Sequence, residues 1–313
     1  MNRKDLLGLR DLSREEITEI LDTAEHFRRV SERRIKKVPT LRGRTVVTLF
    51  MENSTRTRLS FDLAAKRLSA DTLGFSASSS ATKKGETLMD TARNIDAMKP
   101  DAIIIRHSAA GSPHMLAKTF SWSVLNAGDG INEHPSQALL DMLTMRDQLG
   151  SLEGKTVAIV GDVYHSRVAR SNIFGLTTMG ARVVVAGPGT MCTPALAHLG
   201  VEVRHTIDEV VTDADVIMML RIQRERLQPG MMSTVNEYSR YYGLDLARLH
   251  KAKPNVLVMH PGPINRGVEM SPEVADSDRS VILDQVTNGV AVRMALLYLL
   301  LGGEQPGGEE DAS

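Results

Sequence analysis

One cysteine, Cys192, is all that the 313-residue sequence contains, which excludes an intrachain disulfide and any metal cage built from cysteines. Net charge is lacking too. The 38 Lys and Arg residues offset 38 Asp and Glu residues, so no global basic field exists to hold nucleic acid or an anionic membrane. Any binding of anions must therefore be local. There is no apolar run of the roughly 18 residues that a membrane helix needs, and the opening stretch MNRKDLLGLRDLS has no secretory core. These absences predict a soluble, cytoplasmic protein. The nucleotide signatures are also missing. ATKKGET (81–87) lacks the first glycine of a P-loop, IVGDVYHSR has no second or third glycine of a dinucleotide fingerprint, and AGPGTMCTP fails at the third. A bound nicotinamide dinucleotide is not expected. Neither a Ser-His-Asp set, nor an activated cysteine, nor a ligand cluster at metal-binding spacing stands out, so no cofactor and no metal are expected.

What is present is an ordinary globular composition, 42% hydrophobic and 24% charged, on a chain long enough for two domains. DLSREEITEILDTAEHF opens with a capping box, Ser13 with Glu16, and a hydrophobic staple, Leu12 with Ile17. Ile17, Ile20, Leu21, Ala24 and Phe27 then recur at helical steps. Short β-branched runs follow at 45–50, 71–77, 101–106, 122–128, 155–161, 181–187, 201–205, 215–220 and 255–260. Helix-length segments separate most of them, several with first-turn prolines such as Pro113 and Pro135. Near-continuous apolar strands alternating with helices predict an α/β protein of two domains, each a parallel β-sheet flanked by helices on both faces. QLGSLEGKT (148–156) interrupts the rhythm, and the domain change is placed near 134–150. Residues 1–134 with 285–303 form one expected domain and 135–284 the other. The apolar helix of 284–302 packs back onto the first domain in this reading, and the Gly- and acid-rich tail 304–313 is expected to be disordered.

Ligands of open parallel sheets bind beyond the carboxyl ends of the strands. Ser54-Thr55-Arg56-Thr57-Arg58 follows the first strand, Arg106 and His107 the third, and His134 and Gln137 the fourth. Arg167 follows the fifth strand, Arg221 and Gln223 the eighth, and HPGP (260–263) the ninth. An arginine or histidine thus recurs at the ligand end of both sheets, which implies small substrates carrying several negative charges. Ser54 can cap the helix starting near Thr55, leaving first-turn amides and the Arg56 fork for a phosphate. An ordinary cap with solvated arginines is the plainer alternative, and a bare S-T-R triplet would favour it. For His134 the plainer alternative is a helix cap. Lys83 and Lys84 read as a solvated pair, and Arg221 as substrate binder or surface ion pair in equal measure. His260 is read as structural, His107 and His165 as bystanders, Met218 and Met219 as core.

ENSTRTR, KKGET, IRH, NEHPSQ, GD…SR, RIQRER and MHPGP, in this order, resemble the catalytic chains of the aspartate carbamoyltransferase family over roughly residues 3–302. STRTR and HP[ST]Q alone would identify only the wider transcarbamylase superfamily. Ornithine enzymes typically carry H-C-L-P and D-x-x-x-S-M-G where this chain has His260-Pro261-Gly262-Pro263 and Arg221-Ile222-Gln223. Arg167 and Arg221 suit a dicarboxylate acceptor and would repel the side-chain amine of ornithine. The resemblance implies transfer of the carbamoyl group of carbamoyl phosphate to L-aspartate in pyrimidine biosynthesis. It implies that Ser54, Thr55, Arg56, Thr57 and Arg106 hold the phosphate, and that Thr57, Arg106 and His134 point to the carbonyl oxygen. Gln137 and the main-chain carbonyls of Pro261 and Gly262 would hold the carbamoyl amino group. Lys84, Arg167, Arg221 and Gln223 would bind aspartate, and Glu52 would bridge Arg167 and Arg226 on domain closure. Ser80 and Lys84 lie on a loop that, in the family, reaches a neighbouring subunit's site, which implies a homotrimer. A regulatory chain or dihydroorotase is a further partner known among relatives. Gly262 departs from relatives with leucine there, and a cis Gly262–Pro263 peptide is expected. The alternatives are a transcarbamylase for ornithine or another amino acid, and a catalytically idle phosphate-metabolite-binding subunit.

Overall fold

Strand-length apolar runs joined by helices fold into two parallel sheets in the computed structural model, which describes residues 1–76, 86–222 and 234–302. In the first half, α1 (Arg14–Glu32) precedes β1 (Thr45–Phe50), α2 (Thr55–Arg67), β2 (Asp71–Ser76), α3 (Leu88–Asp96) and β3 (Ala102–His107). There follow α4 (Ser112–Thr119), β4 (Ser123–Asp129) and α5 (Pro135–Leu149). The second half runs β5 (Thr156–Val160), α6 (Arg167–Thr178), β6 (Arg182–Ala186), β7 (Glu202–Arg204) and β8 (Val216–Met219). After it come α7 (Val235–Tyr242), α8 (Leu246–Lys251), β9 (Leu257–Met259), α9 (Pro272–Ala275) and α10 (Ile282–Leu301).

The strand orders are β2-β1-β3-β4 and β7-β6-β5-β8-β9, all parallel. Each order reverses once, between β1 and β3 and between β5 and β8. At such switch points the loops leaving the two strands splay apart and open a crevice. Every strand expected from the apolar runs is present: β1 has the expected bounds, β3 and β4 are shifted one residue toward the C-terminus, and the other six are shorter than expected by one to three residues. All seven residues of β4 are buried, as a parallel strand covered on both faces requires.

The capping box of Ser13 and Glu16 forms as expected, and both Leu12 and Ile17 of the staple are buried. One unexpected connection precedes it. Leu6 adds to the edge of β4, its N–H donating to the Val124 carbonyl at 2.9 Å and its carbonyl accepting from the Asn126 N–H at 2.9 Å. The same segment is clipped at Leu9, whose N–H donates to the buried Glu133 carboxylate at 2.7 Å.

A continuous hydrophobic core crosses from one sheet to the other. It joins Val46, Ile104 and Leu125 of the first to Val157, Val185 and Val216 of the second through Leu139 of α5 and Leu296 of α10. The last helix packs on α1, α2 and α5 and reaches β9. It therefore fixes the two sheets relative to each other, and with them the two sets of strand-end loops. No helix among the described residues is long and apolar enough to cross a membrane.

Candidate active site

The carboxyl ends of both sheets open onto one cavity of about 800 Å³. From the first sheet, β1 delivers the Ser54–Thr57 turn, β3 delivers Arg106, and β4 leads to His134 and Gln137. From the second, β5 leads to Arg167, β8 to Arg221, and β9 to His260, Pro261 and Gly262. All of these line the same hollow, so the arginines at positions 56, 106, 167 and 221 share one space rather than scattered faces. Ser80, Lys84, Gln223 and Arg226 lie outside the described residues.

Register explains the placement of Arg106. Phe50, the last residue of β1, pairs with Arg106, and the Met51 N–H donates to the Arg106 carbonyl at 2.9 Å. The chain then turns into α2 beside the Arg106 side chain. Ser54 occupies the N-cap position, but its hydroxyl makes no cap bond, which corrects the expectation that it would cap α2. The physical consequence favours ligand binding, because first-turn amides not claimed by a cap remain donors for an anion. His134 likewise stands at the N-cap of α5 without a side-chain cap bond. Its backbone N–H donates to the Ser171 hydroxyl at 2.9 Å, which fixes the residue from α6.

Glu52 ties the two halves together. Its carboxylate accepts from Arg167 Nη2 at 2.9 Å and lies 3.4 Å from Arg106 Nε. Arg167 also donates to the Gly130 carbonyl and Arg106 to that of Ala127, each at 3.3 Å. Gly128 makes room for this arrangement: its φ is +118°, and a Cβ there would sit 2.9 Å from Arg167 Nε. Gly262 does the same for Arg56. Its φ is +63°, and a Cβ would come 2.6 Å from the Arg56 guanidinium. The glycine does not leave the turn loose, because its N–H donates to His260 Nδ1 at 2.8 Å. The Gly262–Pro263 peptide is cis.

The electrostatics follow from crowding cations into a partly dry crevice. Burial, and then the charges of Arg167, Arg293 and Arg56, push Arg106 down to about 9. Burial takes Arg167 to about 10, and burial with the charge of Arg221 lowers Arg56. His134 lies well below the usual imidazole range through burial and then Arg106, Arg167 and Arg293. The arginines thus remain cations at neutral pH and His134 is a neutral imidazole. Such a site lowers its own energy by binding multiply charged anions.

Several contributors escaped the sequence reading. His165, which reads as a bystander in the sequence, lines the cavity beside Arg167, its Nδ1 2.9 Å from Asp162 Oδ1. It stands in the same strand-end turn as Arg167, a signal that was available. Gln285 and Arg293 of α10 also line the cavity. They are polar residues in a helix whose C-terminal half is apolar apart from Arg293 and Tyr298. His260, read from the sequence as structural, has its Nε2 3.1 Å from the fully buried Glu269 and also lines the cavity. Cys192 is buried and its thiol is pushed up to about 12, far from a thiolate at neutral pH. His107 binds Ser112 and the Ala109 N–H and does not line the cavity.

Comparison with known proteins agrees with this geometry. Residues 4–147 match the family model described as aspartate/ornithine carbamoyltransferase, carbamoyl-P binding domain, and residues 153–300 match its Asp/Orn binding domain counterpart. The chain is 63% identical over 300 residues to the aspartate carbamoyltransferase catalytic subunit of Syntrophus aciditrophicus, covering 96% of this chain and 98% of that one. The corresponding subunit of Geobacter sulfurreducens is 63% identical over 302 residues, with 96% and 97% covered. Two solved structures superpose equally well. Ornithine carbamoyltransferase from Pyrococcus furiosus has a TM-score of 0.85 at 32% identity, covering 96% of this chain and 98% of that one. Aspartate transcarbamoylase from Trypanosoma cruzi, in complex with carbamoyl phosphate and aspartate, has 0.85 at 31%, covering 95% and 97%. The fold alone does not separate the two acceptors; the sequence does.

Proposed function

The chain belongs to the aspartate/ornithine carbamoyltransferase family, and from that premise we propose that it is an aspartate carbamoyltransferase. It transfers the carbamoyl group of carbamoyl phosphate to the amino group of L-aspartate, giving N-carbamoyl-L-aspartate and phosphate. The observation that carries this reading is the convergence of Arg56, Arg106, Arg167 and Arg221 on one cavity that His134 and Gln137 also line. Two of these arginines come from each sheet, which suits a phosphorylated donor on one side and a dicarboxylate on the other.

In this reading the Ser54–Thr57 turn, the α2 amides, Arg56 and Arg106 bind the phosphate. The carbamoyl oxygen meets Thr57, Arg106 and His134. The acceptor amine attacks the carbonyl carbon, the new C–N bond forms, and the C–O bond to phosphate breaks. Negative charge grows on the carbonyl oxygen meanwhile, and donors already aimed at it stabilise the transition state more than the ground state. His134 donates as a neutral imidazole, held neutral by burial among arginines. The departing phosphate takes the amine proton. Arg167 and Arg221, with Gln223 and Lys84, hold the two carboxylates of aspartate. Residues 1–134 with 285–303 form the donor-binding half and 135–284 the acceptor-binding half. Ser80 and Lys84 complete a neighbouring site in a homotrimer located in the cytoplasm.

The test is phosphate release from carbamoyl phosphate by the purified chain, with L-aspartate, with L-ornithine and with neither. Release that depends on L-aspartate is the expected result. Faster release with ornithine would move the chain to the other branch of the family, and no acceptor-dependent release would leave an idle binding subunit.

A further inference from the structure

The carboxylate of Asp141, one helical turn beyond Gln137 on α5, has no exposed surface and accepts three side-chain amides. Gln137 Nε2 lies 2.9 Å and Gln285 Nε2 2.7 Å from Oδ1, and Asn172 Nδ2 lies 2.8 Å from Oδ2. The donors come from α5, α10 and α6. An ionised carboxylate can only accept, so each amide must turn its NH2 group inward and its oxygen outward. For Gln285 the outward oxygen accepts the His260 backbone N–H at 3.1 Å, at the start of the turn that carries the Pro261 and Gly262 carbonyls. Gln137 lines the cavity, and with its nitrogen committed to Asp141 its carbonyl oxygen is the polar end left to face a ligand.

We propose that Asp141 is a positioning residue that sets donor specificity: it aims the Gln137 oxygen and, through Gln285, the Pro261–Gly262 carbonyls at the carbamoyl amino group. The inference rests on the carbamoyl-transfer reading and deepens it. These groups can all accept a hydrogen bond and none is committed to donating one. They suit an NH2 substituent and leave a methyl in the same place without a partner. Burial of the carboxylate pushes Asp141 up to about 6, a cost offset in part by the three amides. A group so placed for stability alone could be apolar.

Asp141→Asn gives the proposal a built-in control. Asn172 Nδ2 also donates to the Val168 carbonyl at 3.1 Å, which holds that amide in its orientation. In Asp141→Asn the retained Oδ1 still receives Gln137 and Gln285, and only the bond from Asn172 is lost. Specificity should therefore survive Asp141→Asn and fail in Asp141→Ala. The experiment is calorimetric titration of the full-length protein and its variants with carbamoyl phosphate, acetyl phosphate and inorganic phosphate. In Asp141→Ala the preference for carbamoyl over acetyl phosphate should fall about tenfold, the loss of one or two hydrogen bonds, with inorganic phosphate bound as before. Asp141→Asn should restore most of that preference. Gln285→Met, which cuts only the link to His260, should lose part of it, and this variant serves if Asp141→Ala does not fold. An unchanged preference in the folded variants, or an equal loss for all three ligands, would overturn the proposal. Absence of any preference in the unaltered protein would instead overturn the carbamoyl-transfer reading itself.

Discussion

Arg106 and His134 show how a cavity wall acquires chemistry from its neighbours. Arg106 is hemmed by Arg167, Arg293 and Arg56, with Glu52 as its counter-charge 3.4 Å away. Burial, and then Arg106, Arg167 and Arg293, hold His134 neutral. This has a consequence for stability. An unfolded His134 takes up a proton below pH 6.5, while the folded one does so only at a much lower pH. Between those values the unfolded state binds more protons, so stability falls as the pH drops below 6.5. Asp141 contributes with the opposite sign, since its folded form gains a proton at about 6, before its unfolded form does. His134→Asn should make the acid-side loss of stability shallower than in the unaltered protein, measured by urea unfolding at several pH values from 7 downward. An identical slope would mean that His134 titrates normally. At this scale the sequence was legible wherever a polar side chain lies at or shortly after the carboxyl end of a strand: Arg56, Arg106, Arg167 and Arg221 were all readable. Asp141 and Gln285 were not, because they meet across 144 residues of chain and only the packing of α10 on α5 brings them together.

Elements place these residues through strand ends and helix starts. Nine apolar runs were enough to locate nine strands, since strands buried on both faces need near-continuous hydrophobicity. The start of α2 was legible as a position but not in its bonding. Ser54 looks like a cap, yet the backbone turn from β1 leaves its hydroxyl without a cap bond. This separates stability from binding at a single residue. A capping serine replaced by alanine typically costs about 1 kcal/mol. Here Ser54→Ala should change unfolding free energy by less than about 0.5 kcal/mol, the range of an uninvolved site. Phosphate affinity should weaken by roughly two- to tenfold with the loss of one hydrogen bond. Urea melts and phosphate titration check both, and a large loss of stability with intact affinity would restore the cap. The last helix was readable as an apolar packing element but not as a wall of the site. Its apolar residues dominate the pattern, and Gln285 and Arg293 gain meaning only once the helix face toward the cavity is known.

Across the whole molecule, a chain of zero formal net charge brings five arginines to one crevice between two sheets. Both sheets share a core, so the hollow is built by the global fold rather than by either half. The proposed trimer extends the same idea to neighbouring chains. Lys84→Ala and His134→Ala chains, each inactive alone, should regain part of the activity when denatured and refolded together, because some shared sites then receive an intact residue from each. Mixed trimers that form and stay inactive would remove the shared site from the account. The central claim is that the cations of both halves join a carbamoyl carbon to the amine of a dicarboxylate. Its most direct measurement is nuclear magnetic resonance of carbamoyl phosphate labelled at the carbonyl carbon, incubated with the protein and amine-labelled L-aspartate. The account predicts a one-bond carbon–nitrogen coupling in the product, appearing in step with phosphate release. Phosphate release with no such coupling, or coupling seen only with labelled ornithine, would contradict it.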